Sequence, residues 1–194
     1  MREGHTPTAM ARPATLCYIR KDGHTLMVYR NKKKVDLHQG MYVAPGGKME
    51  PEDEGSLERT MRRETEEETG LTPKDYYLKG FLTFINDDRV FSDKSTAKMW
   101  GKKWDVAVYI AGDYEGELDE KETEGRLEWV PDDKITELDM HEGDKKFTPW
   151  LDRPEYFIAK FHYLEDNLDR MEKEFFKNHN EFLEKVRETY GDCL

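Results

Sequence analysis

Residues 46–71 constrain this chain more than any other segment, because they place a glycine turn directly before an acidic helix. A helix that begins near Ser56 would align five residues, spaced by three or four, on one stripe. These residues are Leu57, Met61, Glu64, Glu68 and Leu71. The apolar stripe therefore runs directly into carboxylates, and burying an unpaired carboxylate is costly. The pattern predicts that a cation or another partner neutralises them.

A divalent metal ion would supply that charge. Oxygen-only ligands suit Mg²⁺ or Mn²⁺, and Glu67 lies close to the stripe on the same helix. Arg63 can hold the carboxylates by ion pairing, and Asp53 and Glu54 near the helix start could reach the same space. Taken alone, a run of glutamates is more typical of a solvated helix face. The residues around this run favour a metal site instead.

Four dipeptides carry a resemblance to a known family: Gly46-Gly47, Arg63-Glu64, Glu67-Glu68 and Gly70-Leu71. Together they resemble the signature of the Nudix hydrolases, a glycine, then a glutamate, then Arg-Glu-x-x-Glu-Glu-x-Gly. The resemblance implies cleavage of a nucleoside diphosphate linked to a further group, with Mg²⁺ held on this helix. It also implies catalytic roles for Arg63, Glu64, Glu67 and Glu68. The same three glutamates and Gly47 would bind the metal, while Gly46 and Gly47 would contact the substrate.

The first half of the signature departs from the family pattern. The family leaves five residues between its glycine and first glutamate and seven between that glutamate and the arginine, and the interval from Gly47 to Arg63 is two residues longer. Counting forward from Gly47 reaches Asp53, and counting back from Arg63 reaches Gly55. We predict that Glu54 is the matching metal-binding acid, with Asp53 as the alternative.

Composition bounds the remaining possibilities. The chain has 194 residues, 36% of them hydrophobic, which is enough for one core and short for two. We expect a flexible leader at 1–12, one domain at 13–170 and a helical extension at 171–194. A net charge of -11 argues against binding to a nucleic acid duplex. The lack of an apolar run of membrane-spanning length and the two distant cysteines favour a soluble, cytoplasmic protein.

Alternating apolar residues predict strands on both sides of the acidic helix. They are expected at Ala14–Ile19, Thr25–Arg30, Tyr76–Ile85, Trp104–Ala111 and Gly125–Val130. Asn31 and Lys32 begin a basic loop that is either an ordinary surface loop or a source of cations for a triphosphate. Residues 86–103 form a long loop that either covers the site or projects from it. By resemblance to the family, Glu124 could be an additional metal ligand, with Glu120 and Glu122 as alternatives.

A second resemblance lies in residues 138–161. This segment is similar to bacterial 8-oxo-dGTP diphosphatases in its Glu-Gly-Asp loop and its closing Ala-Lys-Phe strand, and the similarity covers about residues 14–170. In that subfamily the loop lies at the base pocket. The resemblance therefore implies that Asp144, followed by Glu142, contacts a purine edge, and that the ring of His141 stacks on the base.

The sequence thus predicts an α/β Nudix fold, with a mixed β-sheet between α-helices, in a monomer or homodimer. Residues 169–190 are expected to form a helix that packs on the domain or on another subunit. The expected activity is Mg²⁺-dependent hydrolysis of a small-molecule nucleotide, most directly 8-oxo-dGTP, to a monophosphate and pyrophosphate. A nucleotide sugar or dinucleoside polyphosphate as substrate, or a non-catalytic nucleotide-binding module, remains an alternative.

Overall fold

The structure is a computed structural model that describes residues 12–31, 39–86, 103–119, 125–164 and 167–191. Eight strands are present in these ranges: β1 (Arg12–Lys21), β2 (His24–Tyr29), β3 (Tyr42–Val43), β4 (Leu71–Asn86), β5 (Lys103–Gly116), β6 (Arg126–Pro131), β7 (Tyr156–Leu164) and β8 (Asn167–Phe176). Three α-helices accompany them: α1 (Leu57–Thr69), α2 (Glu142–Phe147) and α3 (His179–Tyr190). Short 3₁₀ turns span Pro51–Asp53, Asp132–Glu137 and Thr148–Trp150. Most of the predicted leader and loop 86–103 therefore lies outside the described residues.

The strands form a mixed sheet, as predicted. Its main part has the order β1-β5-β4-β7-β8, in which β1 is parallel to β5 and β4 is parallel to β7, while the other pairs are antiparallel. Strand β2 pairs with β3 and β6 in a smaller part, which joins the larger one at the β1–β2 hairpin. The hairpin turn is built by Asp22 and Gly23, both with positive φ, as expected for a tight Asp-Gly connection.

Helices and turns cover both faces of the sheet, because successive strand residues point to opposite sides. In β4, Phe81 belongs to one core cluster and Leu82 to the other. The Phe81 cluster includes Leu57 and Met61 from α1 together with Phe182 and Val186 from α3. The Leu82 cluster includes Phe147 and Trp150 from the α2 region. The predicted arrangement of a sheet between helices is thus confirmed.

The prediction of helix for all of residues 171–194 is wrong in part. Residues 167–176 form β8, which pairs antiparallel with β7, and the helix begins only at His179, with Asn178 as its N-cap. The physical reason is tertiary. Pairing with β7 places Met171 and Phe175 against one core cluster, while Phe176 packs into the other. A spacing of four between apolar residues is compatible with helix or strand, and the neighbouring strand decides.

Helix α1 begins where the sequence predicts, but it ends at Thr69, so Leu71, predicted on the same helix stripe, is the first residue of β4 instead. The side chain of the N-cap residue Ser56 accepts a hydrogen bond from the Arg59 N–H at 3.3 Å. Gly70 ends the helix in the left-handed conformation, with φ of 74°. Leu57 and Met61 are fully buried, so the apolar side of the helix is fixed against the sheet and its glutamates take a defined position. Within the described residues, no helix is long and apolar enough to cross a membrane.

Candidate active site

The glycine turn brings the chain into close contact with both β1 and α1. The Gly47 carbonyl accepts a hydrogen bond from the Thr15 N–H at 2.8 Å. A Cβ atom added at Gly46 would lie 2.1 Å from the Thr15 carbonyl oxygen, and one added at Gly47 would lie 2.3 Å from Glu64 Oε2. A side chain at Gly46 would collide with the backbone of β1, and one at Gly47 would displace the Glu64 carboxylate. The two glycines therefore allow the backbone to lie directly against the Glu64 carboxylate.

Glu68 is held at the same turn. Glu68 is 8% exposed, and its Oε2 accepts a hydrogen bond from the Gly46 N–H at 3.0 Å. The Arg30 guanidinium donates to Oε1 at 3.4 Å. Arg30 was not among the residues predicted from the sequence. The sequence feature that could have identified Arg30 is its place at the end of a predicted strand that leads into a basic loop.

The Arg63 guanidinium organises the acids. Its Nε and Nη2 donate to the two Asp53 oxygens at 2.9 and 2.8 Å, and Nη2 also donates to the Lys48 carbonyl at 3.0 Å. Its Nη1 donates to Glu64 at 2.9 Å and to Glu67 at 3.3 Å. These contacts employ all five N–H donors of a guanidinium. Arg63 thus positions protein groups and has no donor left over for a substrate.

Asp53, rather than Glu54, is the acid that joins this network. Asp53 is 2% exposed and also accepts hydrogen bonds from the Glu50 N–H and the Thr60 hydroxyl, each at 2.9 Å. The Arg63 hydrogen bond is the main cause that lowers the pKa of Asp53 to about 2. The prediction of Glu54 is corrected here. Glu54 has φ of 51° where the preceding 3₁₀ turn ends, and its exposed side chain pairs with Arg59.

We expect Asp53 to make folding stability depend on pH in the acid range. Its folded pKa of about 2 lies below the ordinary value of about 3.9, so its contribution is complete above pH ~4 and is lost as the pH falls towards 2. The shift corresponds to about 2 kcal/mol. Asp53→Asn should therefore lower the free energy of unfolding most at neutral pH, with a difference from wild type that shrinks below pH ~4. Urea unfolding at a series of pH values measures this. A difference independent of pH would disprove it, and Glu54→Gln is the exposed control.

Burial changes the electrostatics of the glutamates on α1. Burial raises the pKa of Glu64, Arg63 opposes that rise, and the neighbouring charges of Glu67 and Asp53 add to it. The Glu67 side chain is 62% exposed. Within the described ranges, no three His, Cys, Asp or Glu side chains form a ready-made ligand set. Instead, Arg63 and Arg30 neutralise the carboxylates.

The oxygen donors themselves fit a hard divalent cation. The Glu64 carboxylate lies at Gly47, and the Glu68 carboxylate lies at Gly46. Glu67 is on the same helix within reach of the same arginine. Carboxylate and carbonyl oxygens without nitrogen or sulfur are the ligands that Mg²⁺ and Mn²⁺ prefer. A metal ion would add positive charge at these carboxylates beside that of the guanidinium groups.

The residues predicted for the base pocket lie at α2, and their environments differ. Asp144 is 9% exposed, burial raises its pKa to about 7, and among the described residues no donor is hydrogen-bonded to its carboxylate. Glu142 is exposed and accepts a hydrogen bond from the Leu168 N–H at 3.3 Å, which ties α2 to β8. The His141 ring stands edge-on to Tyr163, with 6.0 Å between ring centroids. Asp144 is thus the group most available to a ligand.

The remaining predicted residues lie at the end of β2 or outside the described ranges. Asn31 is exposed and directly follows Arg30. Lys32 and Glu124 fall outside the described residues. Gly125, the neighbour of Glu124, packs against this end of β2, because a Cβ added there would lie 2.1 Å from the Tyr29 carbonyl oxygen and 3.1 Å from the Arg30 Cα.

Comparisons with known proteins agree with this arrangement. The NUDIX domain model matches residues 10–151. The uncharacterized Nudix hydrolase YvcI from Bacillus subtilis (strain 168) is 31% identical over 132 residues, which are 67% of this chain and 72% of that protein. The mitochondrial coenzyme A diphosphatase NUDT8 of Mus musculus is 38% identical over 81 residues, which are 42% of this chain and only 38% of that protein.

The fold is similar to that of a solved MutT protein. The crystal structure of the mutator MutT protein from Bacillus halodurans superposes with a TM-score of 0.69 at 30% identity and covers 84% of this chain and 97% of that one. The family match spans the glycine turn, α1 and α2, the elements that carry the acids described above. The chain therefore belongs to the Nudix hydrolases, pyrophosphohydrolases that act on small-molecule nucleotides and generally use a divalent metal ion.

Proposed function

We propose that this Nudix hydrolase is a nucleoside triphosphate pyrophosphohydrolase whose substrate is 8-oxo-dGTP or a related oxidised purine nucleotide. The products would be the nucleoside monophosphate and pyrophosphate, and the benefit a nucleotide pool free of damaged bases. One observation carries the proposal. The buried stripe of α1 ends in carboxylates held against the Gly46–Gly47 turn, while the buried carboxylate of Asp144 in α2 accepts no hydrogen bond from a described donor.

In this proposal, Glu64, Glu67 and Glu68 hold the divalent metal, together with the Gly47 carbonyl, whose second lone pair remains beside the bond from Thr15. When bound, such a cation neutralises phosphate charge and lowers the pKa of an attacking water. The same three glutamates are the groups that can accept the proton which the water loses. Glu124 would join them from the segment before Gly125, which packs at Arg30.

Arg63 has a positioning role in the proposal, since its donors are all employed within the protein. It fixes the direction of the Glu64 side chain and anchors it to buried Asp53. The cations proposed for the phosphates are Arg30 at the end of β2 and Lys32, which lies outside the described residues. Arg30 lies at Glu68, and Asn31 and Lys32 continue the chain from it. Phosphate oxygens suit such guanidinium and ammonium groups.

The base would bind at α2, where aromatic side chains surround the buried acid. Phe84 and Phe161 stack at 5.3 Å, and Phe84 and His141 both lie close to Tyr163. A purine favours flat apolar walls with a few placed polar groups. A carboxylate near a polyanionic substrate is unfavourable unless it meets a proton donor, and the N–H groups of a purine edge supply one. With a pKa of about 7, Asp144 is available near neutral pH both as acceptor and as donor.

Asp144→Ala should lower kcat/KM for 8-oxo-dGTP. The loss of transition-state stabilisation should be about 1–3 kcal/mol, the size expected for loss of a hydrogen bond to a charged group. Cleavage of a pyrimidine triphosphate should change little, because its base would not make this contact. Parallel kinetics on both substrates test the point. Equal losses would place Asp144 in the phosphate site or in the fold. Glu142→Ala is the matched control, since its carboxylate contacts the backbone of β8.

A substrate panel with Mg²⁺ tests the function itself. It includes 8-oxo-dGTP, the four ordinary triphosphates, a nucleotide sugar, a dinucleoside polyphosphate and coenzyme A, because NUDT8 carries the name of a coenzyme A diphosphatase. Release of pyrophosphate is scored against release of orthophosphate. Preferential release of pyrophosphate from 8-oxo-dGTP is the expected result. Preference for a linked dinucleotide or a sugar would replace the proposed substrate, and no hydrolysis with retained nucleotide binding would make the chain a binding module.

A further inference from the structure

Tyr163, near the end of β7, has a buried hydroxyl that the site described so far does not use. The residue is 6% exposed, and within the described part of the chain its hydroxyl donates a hydrogen bond to no acceptor, although the Gly143 N–H lies close to it. The hydroxyl points at the first turn of α2, because a Cβ added at Gly143 would lie 2.4 Å from it. Burying a hydroxyl without a partner costs free energy. A ligand that accepts a hydrogen bond from this hydroxyl would remove that cost.

A second unpartnered polar group lies next to it. Asp144 follows Gly143 directly, is 9% exposed, and has a carboxylate to which no described donor is bonded. Burial raises the pKa of Tyr163, the negative charge of Asp144 raises it further, and the nearby Gly143 N–H opposes the rise. The Tyr163 hydroxyl therefore stays protonated and is a donor at neutral pH, whereas Asp144 offers an acceptor. Two buried complementary groups at one place are typical of a ligand site.

The surroundings indicate the kind of ligand. Tyr163 contacts His141 edge-on at 6.0 Å and Phe84 at 6.4 Å between ring centroids, and Phe84 stacks on Phe161. These aromatic rings offer apolar contact to a flat heterocycle. A donor beside an acceptor matches a ring edge on which a carbonyl oxygen stands next to an N–H group. Oxopurines have such an edge.

We propose that Tyr163 is a specificity-determining residue, whose hydroxyl donates a hydrogen bond to a carbonyl oxygen of an oxopurine while Asp144 accepts from the adjacent N–H. The proposal rests on the proposed function for the location of the base. It extends that function by requiring a carbonyl group on the purine. A purine nucleotide without ring carbonyls would leave Tyr163 unpartnered.

Tyr163→Phe removes only the hydroxyl and leaves the ring contacts. The melting temperature of the free protein should fall little, because the hydroxyl donates to no described group there. Tyr18→Phe is the matched control. Tyr18 is 1% exposed and its charge environment also includes Asp144, but the side chain of Thr148 lies close to its hydroxyl and opposes the rise in its pKa. Tyr18→Phe should therefore lower the melting temperature while affecting all bases alike.

Binding is measured by calorimetry with the monophosphates of 8-oxodeoxyguanosine and of 2-aminopurine deoxyriboside, the latter lacking ring carbonyls. Steady-state kinetics with the two triphosphates accompany it. For Tyr163→Phe we expect Kd and KM for the 8-oxoguanine ligands to rise about fivefold to tenfold, with kcat nearly unchanged. For the 2-aminopurine ligands, both constants should stay within about twofold of wild type.

Each outcome decides the inference. Equal losses on both ligands, no loss on the 8-oxoguanine ligands, or failure of the wild type to bind them would overturn it. A melting temperature lowered as much as in Tyr18→Phe would assign the hydroxyl a structural role instead. Tyr163-dependent binding without hydrolysis would refute the proposed function and leave the inference standing. Hydrolysis of 8-oxo-dGTP that is unchanged in Tyr163→Phe would support the proposed function and refute the inference.

Discussion

Glu67→Gln is expected to lower kcat by about 10²-fold or more while the fold stays intact. The change removes a negative charge that would hold the metal and so stabilise the transition state. Stability should hardly change, because the side chain is 62% exposed and its contact with Arg63 is a long one of 3.3 Å. Glu68→Gln should lower kcat to a similar extent for the same reason. Its fold should also stay intact, because an amide oxygen can still accept the hydrogen bond from the Gly46 N–H.

Glu66→Gln is the matched control for these variants. Glu66 is an exposed neighbour on the same helix and is not held at the glycine turn. Its activity should stay within about twofold of wild type, because exposed charges away from a site contribute little. Near-full activity of Glu67→Gln or Glu68→Gln at saturating Mg²⁺ would contradict the assignment of α1 as the metal-binding helix.

Arg63→Met is expected to lower the free energy of unfolding by about 3–5 kcal/mol, because it leaves buried Asp53 without its cation. Activity should also fall sharply in the fraction that remains folded, since the Glu64 side chain loses its donor at 2.9 Å. Urea unfolding at neutral pH measures the first effect, and initial rates well below the unfolding midpoint measure the second.

The double variant Asp53→Leu with Arg63→Met separates the two effects. Replacement of both members of a buried ion pair by apolar groups should restore much of the lost stability. Activity should not return, because Glu64 and Glu67 still lack the guanidinium. A cost below about 1 kcal/mol for Arg63→Met would mean that the pair is only a surface ion pair. Recovered activity in the double variant would show that Arg63 has no positioning role.

The position of α1 could be predicted because local chemistry determines it. Ser56 supplies a cap, Gly70 supplies a left-handed end, and the spacing of Leu57 and Met61 fixes the buried side. These signals lie within one short segment and do not depend on distant residues. The hairpin at Asp22-Gly23 is local in the same sense. The start of α1 and its buried side at Leu57 and Met61 could therefore be predicted, whereas Leu71, predicted on the same stripe, lies in β4.

Other features depend on contacts that sequence spacing does not encode. Asp53 and Glu54 are adjacent acids, and only the left-handed backbone at Glu54 decides which one meets Arg63. Pairing with β7 turns residues 167–176 into a strand although their apolar spacing also allows a helix. Arg30 joins Glu68 across 38 positions of sequence. The role of Tyr163 could not be predicted, because only the fold shows that its buried hydroxyl donates to no acceptor among the described residues.

The dependence of pyrophosphate release on Mg²⁺ is the most direct test of whether α1 holds a metal ion that hydrolysis requires. Release from 8-oxo-dGTP is followed as Mg²⁺ is added to chelator-treated wild type, Glu67→Gln and Glu66→Gln. The account predicts no release without a divalent cation, saturable release by wild type and by Glu66→Gln, and a rate about 10²-fold lower for Glu67→Gln. Release that needs no metal, or that falls equally in both variants, would contradict it.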